Sequence, residues 1–200
     1  MVAIKTHGPG PGEPSVLAEQ AAPVSDAACP WLMVAAERAG LARGNFRQSP
    51  DPALGPGHPP RIATRTPGTG AGSVRAAREY VIATLQRWGV AERREDIAIV
   101  ISELLTNALC HAVPPPGHTR PRRPVRIGLL QPGPCVLCAV TDPSKAAPIP
   151  QGLSPIAETG RGLHIVCALS DRWGYTALGG TGKVVWAVFT SPPTRPMPTR

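Results

Sequence analysis

Glu103, Asn107 and His111 stand four residues apart in ISELLTNALCHA, a segment whose other positions are mostly apolar. That spacing puts all three on one face of a helix, beside the buried edge that Leu104 and Ala108 would form. Polar groups next to a core need partners, and where the protein supplies none a bound ligand or metal can. The plainer reading is the solvated face of an amphipathic helix. Gly160, Arg161 and Gly162 precede a second helical run, GLHIVCALS. A helix N-terminus carries unpaired N–H groups and the positive end of the helix dipole, so it suits a phosphate, although glycines also mark simple turns. Lys183, in GGTGKVVW, could add a cation to the same anion or be a solvated hairpin lysine. Asp142 ends the apolar run CVLCAVTD, where its carboxylate can accept hydrogen bonds at a sheet edge or open an Asp-Pro turn.

The elements that must position these groups follow from periodicity. RIATRT, residues 61–66, alternates weakly and predicts an edge strand. Ser73 offers an N-cap, Val74, Ala77, Val81, Leu85 and Trp88 mark one buried helical face, and Gly89 ends that helix. A second helix is expected from near Glu92. Glu92, Glu95 and Asp96 complement its dipole, and Ile97, Val100, Ile101, Leu104, Leu105 and Ala108 form its buried face. VRIGLL and CVLCAVTD predict a hairpin joined by QPGP, and RWGYTALGGTGKVVWAVFT predicts another. Between them, residues 143–159 contain four prolines and make a long loop of the kind that serves as a lid. The order strand, helix, helix, strand, strand, helix, strand, strand implies an α/β two-layer sandwich with helices on one face of a mixed sheet.

Composition sets limits. The chain has 200 residues, enough for one core. Of its 26 prolines, eleven lie in residues 1–70 and fifteen after residue 113, which leaves the helical stretch free of them. Residues 1–60 read as a mostly disordered Pro/Gly-rich extension, residues 61–190 as the folded domain and residues 191–200 as a loose tail. WLMVAAERAG, residues 31–40, is the exception in the extension: a short amphipathic helix, either docked or transient. No apolar run is long enough to cross a membrane and no secretory leader is evident, so a cytoplasmic protein is expected. The five cysteines, including Cys135 and Cys138 in a lone C-x-x-C, fit reduced buried thiols rather than a disulfide framework or zinc site. The net charge of +8 gathers partly at Arg120, Arg122, Arg123 and Arg126, but no aromatics interleave to stack bases, which argues against nucleic acid.

Each signal alone is ambiguous; their order is specific. A helix with ELLTNA, a strand ending in VTD, a lid, ETGRGLHIV and a final TGKVVWAVF together resemble the GHKL ATP-binding family, with its Bergerat fold. Within it the chain is similar to the anti-sigma-factor serine/threonine kinase-like proteins of actinobacteria, over about residues 61–190. The resemblance implies ATP and Mg2+ as cofactors, Glu103 as the general base and Asn107 as a residue that holds the metal on the phosphates. It implies that Asp142 accepts the adenine amino group, that Gly160, Arg161 and Gly162 line the phosphates, that Thr181 is a second adenine-side contact, and that His111 could reach a phosphate. Pro143 and Ser144 depart from the pattern, because many relatives carry a glycine two residues after the aspartate. Histidine kinase activity is not expected, since no phosphoacceptor helix precedes the domain. The implied activity is transfer of the ATP γ-phosphate to a serine or threonine of a partner such as an anti-sigma-factor antagonist or sigma factor, with homodimerisation possible. The alternatives are a non-catalytic, ATP-dependent interaction switch and, more remotely, a basic nucleic-acid-associated protein.

Overall fold

The computed structural model describes residues 29–41, 60–111, 124–149, 161–180 and 182–190. Residues 1–28, the lid beyond Ile149, the tail from Ser191, Gly160, Thr181, Arg120, Arg122 and Arg123 lie outside them, as does the side chain of His111. The elements are α1 (Pro30–Arg38), β1 (Arg61–Arg65), α2 (Ser73–Arg87), α3 (Arg94–His111), β2 (Arg126–Gln131), β3 (Cys135–Asp142), α4 (Gly162–Leu169), β4 (Arg172–Ala177) and β5 (Lys183–Thr190).

Local sequence chemistry sets the helix ends. Ser73 is the first residue of α2 rather than its cap, and its hydroxyl donates to the Gly70 carbonyl at 2.6 Å. At the other end Gly89 takes φ +75°, a left-handed conformation that other residues rarely adopt. That turn lets the Val90 N–H reach the Leu85 carbonyl and the Gly89 N–H reach that of Gln86, and it folds Val90 into the core. α3 starts at Arg94, two residues later than the acidic cluster suggested, with Glu95 and Asp96 in its first turn.

The strands form one sheet in the order β1-β2-β3-β5-β4. The sheet expected to be mixed is antiparallel at every pairing. β4 runs in the same direction as β3 after the α4 crossover, but β5 enters between them, so no parallel pair forms. The two-layer sandwich itself is present. Side chains alternate across the strands. Ile127, Leu129, Val136, Cys138, Val140, Val185, Ala187 and Phe189 meet Ala77, Val81 and Leu85 of α2, Ile97, Ile101 and Leu105 of α3, and Val166 of α4.

The expectation that helices cover only one face is corrected by α1. Trp31, Leu32, Ala35 and Ala36 pack on Leu130, Leu137, Ala139, Val184, Trp186 and Val188, which are the opposite-facing residues of the same strands. Gly128 makes this possible: a Cβ there would lie 2.6 Å from the Trp31 ring and 2.9 Å from a Leu32 methyl. The WLMVAA segment is therefore a docked helix. Among the described residues no helix is long and apolar enough to cross a membrane.

Candidate functional site

α3 carries Glu103 and Asn107 on a half-buried stripe one turn apart, as the spacing predicts. α4 begins against that stripe. A Cβ added at Gly162 would stand 2.8 Å from Glu103 Oε2 and 3.4 and 3.6 Å from the Asn107 side-chain nitrogen and oxygen. A glycine at this position lets the first turn of α4, with its unpaired N–H groups, come close to a carboxylate and an amide. Arg161 occupies the N-cap position and is exposed.

The second cluster lies where β3 ends and β5 begins. Asp142 and Lys183 are cross-strand partners. Their side chains form an ion pair at 2.5 Å and are only 6% and 7% exposed. Lys183 Nζ also donates to the Ser144 carbonyl at 3.2 Å, while the Ser144 N–H donates to the other Asp142 oxygen at 2.7 Å. The last contact is an Asx turn, and it explains Pro143 and Ser144: the turn they build fixes the carboxylate from its own backbone. Gly182, at φ +110°, is a further requirement, because a Cβ there would collide with the Asp142 carbonyl oxygen.

Asn107 and Gly162 of the first cluster and Asp142, Ser144 and Lys183 of the second line one cavity of about 590 Å3. Leu104, Ala108, Val140, Leu163 and Val185 form apolar walls, Asn107, Gly162, Asp142, Lys183 and Ser144 supply polar groups, and Ala146 to Ile149 form a rim from the start of the lid. Ile149, on that rim, is 72% exposed. Volume and lining suit a nucleotide-sized ligand, since such sites combine apolar walls with a few converging polar groups.

Asn107, Gly162, Asp142 and Lys183 thus come together around this cavity, and Glu103 stands beside Gly162 without lining it. Lys183 faces Asp142, which sequence reasoning missed. The signal was available in principle: pairing CVLCAVTD with KVVWAVFT in antiparallel register puts Asp142 opposite Lys183. For a cation the donors are sparse. The described residues contain no group of three or more His, Cys, Asp or Glu side chains able to hold a metal. Asn107 offers one amide oxygen, so a hard cation would take its other ligands from the bound molecule and water, a coordination that Mg2+ accepts.

The thiols take no part. Cys135 and Cys138 are three apart on β3 and so face opposite sides of the sheet, Cys138 inside the α2–α3 core and Cys135 beside the α1 cluster. Burial pushes both thiols up, that of Cys138 to about 12. Of the arginine cluster, Arg126 alone is described; it is exposed at the start of β2 and lines a separate cavity of about 410 Å3 beside α1.

Comparison with known proteins finds both solved structures and a family model that match. The crystal structure of the RsbU and RsbW domains of a Mycobacterium tuberculosis protein matches at 19% identity with a TM-score of 0.47, covering 66% of this chain and 32% of that one. The chain therefore spans about a third of that structure. No curated protein matches. A family model described as the histidine kinase-like ATPase domain matches residues 69–189, which run from just before α2 almost to the end of β5 and include every described residue of the cavity. The chain belongs to the histidine kinase-like ATPase domain family, and membership implies ATP as its ligand.

Proposed function

We propose that the protein binds Mg-ATP in the cavity between α3, α4 and the β3–β5 strand ends and regulates a protein partner, acting as a serine/threonine kinase of the anti-sigma-factor type. The observation that carries this reading is the convergence on one cavity of two polar groups, Asn107–Gly162, with Glu103 beside Gly162, and Asp142–Lys183, among apolar walls. The apolar walls suit a base, Asp142 accepts its amino group, and the first turn of α4 takes phosphate oxygens on its N–H groups. When bound, Mg-ATP supplies an activated γ-phosphoryl group. Asn107 contributes an oxygen to the metal. Glu103, beside it on the same stripe, takes the proton of an incoming serine or threonine hydroxyl. Gly160, Thr181 and the side chain of His111, which lie outside the described residues, are the further phosphate and adenine contacts of this proposal. The partner is an anti-sigma-factor antagonist or a sigma factor, met in the cytoplasm.

Calorimetric titration of Mg-ATP into the intact chain and into Asn107→Ala tests the binding half. Binding to the former, and at least tenfold weaker binding to the latter, is expected, because loss of one metal contact typically costs that much. Asp142→Ala is the poorer choice: it strands a buried ammonium, which costs about 3–5 kcal/mol of folding stability. Phosphate incorporation into a candidate partner, abolished in Glu103→Gln, tests the transfer half. ATP binding without any transfer would reduce the protein to an ATP-dependent interaction switch.

A further inference from the structure

The buried Asp142–Lys183 pair is more than nucleotide binding by a single carboxylate requires. A lone aspartate suffices to accept an amino group, and a buried ion pair adds little net stability. What the pair adds is a donor next to an acceptor. An ammonium has three protons. Among the described residues, Asp142 takes one from Lys183 Nζ and the Ser144 carbonyl another, leaving one for the cavity that Lys183 lines. Each Asp142 oxygen accepts one hydrogen bond, from Lys183 or from the Ser144 N–H, so the carboxylate keeps acceptor capacity on the same wall. An adenine edge presents the complement: an exocyclic amino donor adjacent to the ring-nitrogen acceptor N1. Facing a bare carboxylate, the N1 lone pair would sit beside negative charge. Facing the pair, it meets a fixed N–H donor.

We propose that Lys183 is a base-reading residue: its remaining proton goes to adenine N1 while Asp142 accepts from the 6-amino group. This rests on the ATP reading above and departs from a phosphate role for Lys183, whose two contacts hold the ammonium at Asp142 and Ser144.

The test is a set of calorimetric titrations of the intact chain, with Mg2+, using ATP, 1-deaza-ATP, in which carbon replaces N1, and 7-deaza-ATP, which removes an acceptor from the other edge. Affinity for 1-deaza-ATP should fall about ten- to a hundredfold, the usual worth of a hydrogen bond to a charged group, while 7-deaza-ATP stays within a few-fold of ATP. In Lys183→Met the ratio between ATP and 1-deaza-ATP should collapse towards one. Because that ratio is taken within one protein, any loss of folded fraction cancels. If Lys183→Met does not fold, the wild-type ratio still decides. Equal binding of ATP and 1-deaza-ATP, equal weakening by both deaza analogues, or a ratio that persists in Lys183→Met overturns the proposal and leaves the ATP reading standing. No binding of any of the three overturns both.

Discussion

At the residue scale, side chains of one chemical type are sorted by surroundings. Cys138 is fully enclosed and its thiol is pushed up to about 12 from an ordinary 9.0, mainly because burial disfavours the thiolate. Cys110 and Cys167 are exposed. A thiolate is the reacting species, so alkylation of the native protein near pH 8 should modify Cys110 and Cys167 rapidly and spare Cys138 until the chain unfolds. The sign for stability follows. The native state keeps the Cys138 proton above the pH at which the unfolded chain releases it, so this group subtracts stability as pH rises from about 9 towards 12 and contributes nothing below that window. Mass-spectrometric mapping of alkylated cysteines checks the prediction; early modification of Cys138 would mean that β3 opens in the native state. The same sorting separates two carboxylates: Asp142 is sealed against Lys183, while Glu103 stays half-buried beside Gly162 at the start of α4.

At the scale of elements, α1 depends on one missing side chain. Gly128 lies on β2 under Trp31 and Leu32, and any larger residue would drive into both. Gly128→Val should therefore lift α1 from the sheet, at a cost of about 1–3 kcal/mol for an overpacked contact, and expose the Trp31 ring. A red-shifted tryptophan emission together with a lower urea midpoint is the expected result; an unchanged midpoint would show that α1 contributes no stability. The sequence made much of this layer legible, and the reasons are specific. α2 and α3 were readable because Ala77, Val81 and Leu85, then Ile97, Ile101, Leu104 and Leu105, repeat at helical spacing against a single buried face. The second face was harder to see. CVLCAV and KVVWAVFT are apolar at successive positions, the pattern of strands buried on both sides, and that pattern alone calls for a second cover. WLMVAA supplies it, but a nine-residue helix is too short to declare itself by propensity; its packing against Leu137, Val184 and Trp186 is what stabilises it. The mixed-sheet expectation failed for a related reason. Strand order across a sheet is a tertiary property, and the helical crossover before β4 suggested a parallel neighbour that β5 displaces.

On the scale of the whole molecule, the sheet divides two functions between its faces. The α2–α3–α4 face holds the cavity of about 590 Å3, and the opposite face is covered by α1, with the cavity of about 410 Å3 beside that helix. Site residues were legible where chemistry is local, as with Glu103 and Asn107 at helical spacing. What stayed illegible was a pairing that two strands had to meet to form: Asp142 and Lys183 were both readable as candidates, but not as partners of each other. This division makes a spatial prediction for ligand binding. Mg-ATP at about a hundred times its dissociation constant stabilises the native state by about 2.7 kcal/mol. The groups it would bridge belong to α3, α4, the β3 end and the β5 start, so local opening of those segments should be suppressed most. Hydrogen exchange followed by mass spectrometry should show slower exchange in residues 142–149, in α4 and around Lys183, with α1 changing little, because its contacts lie on the other face. Protection of α1 as strong as that of α4 would mean that the two faces are coupled through β3 and β5, the strands that contribute residues to both cores. The cover helix would then belong to the nucleotide response, and a partner docking near α1 could sense occupancy of the cavity.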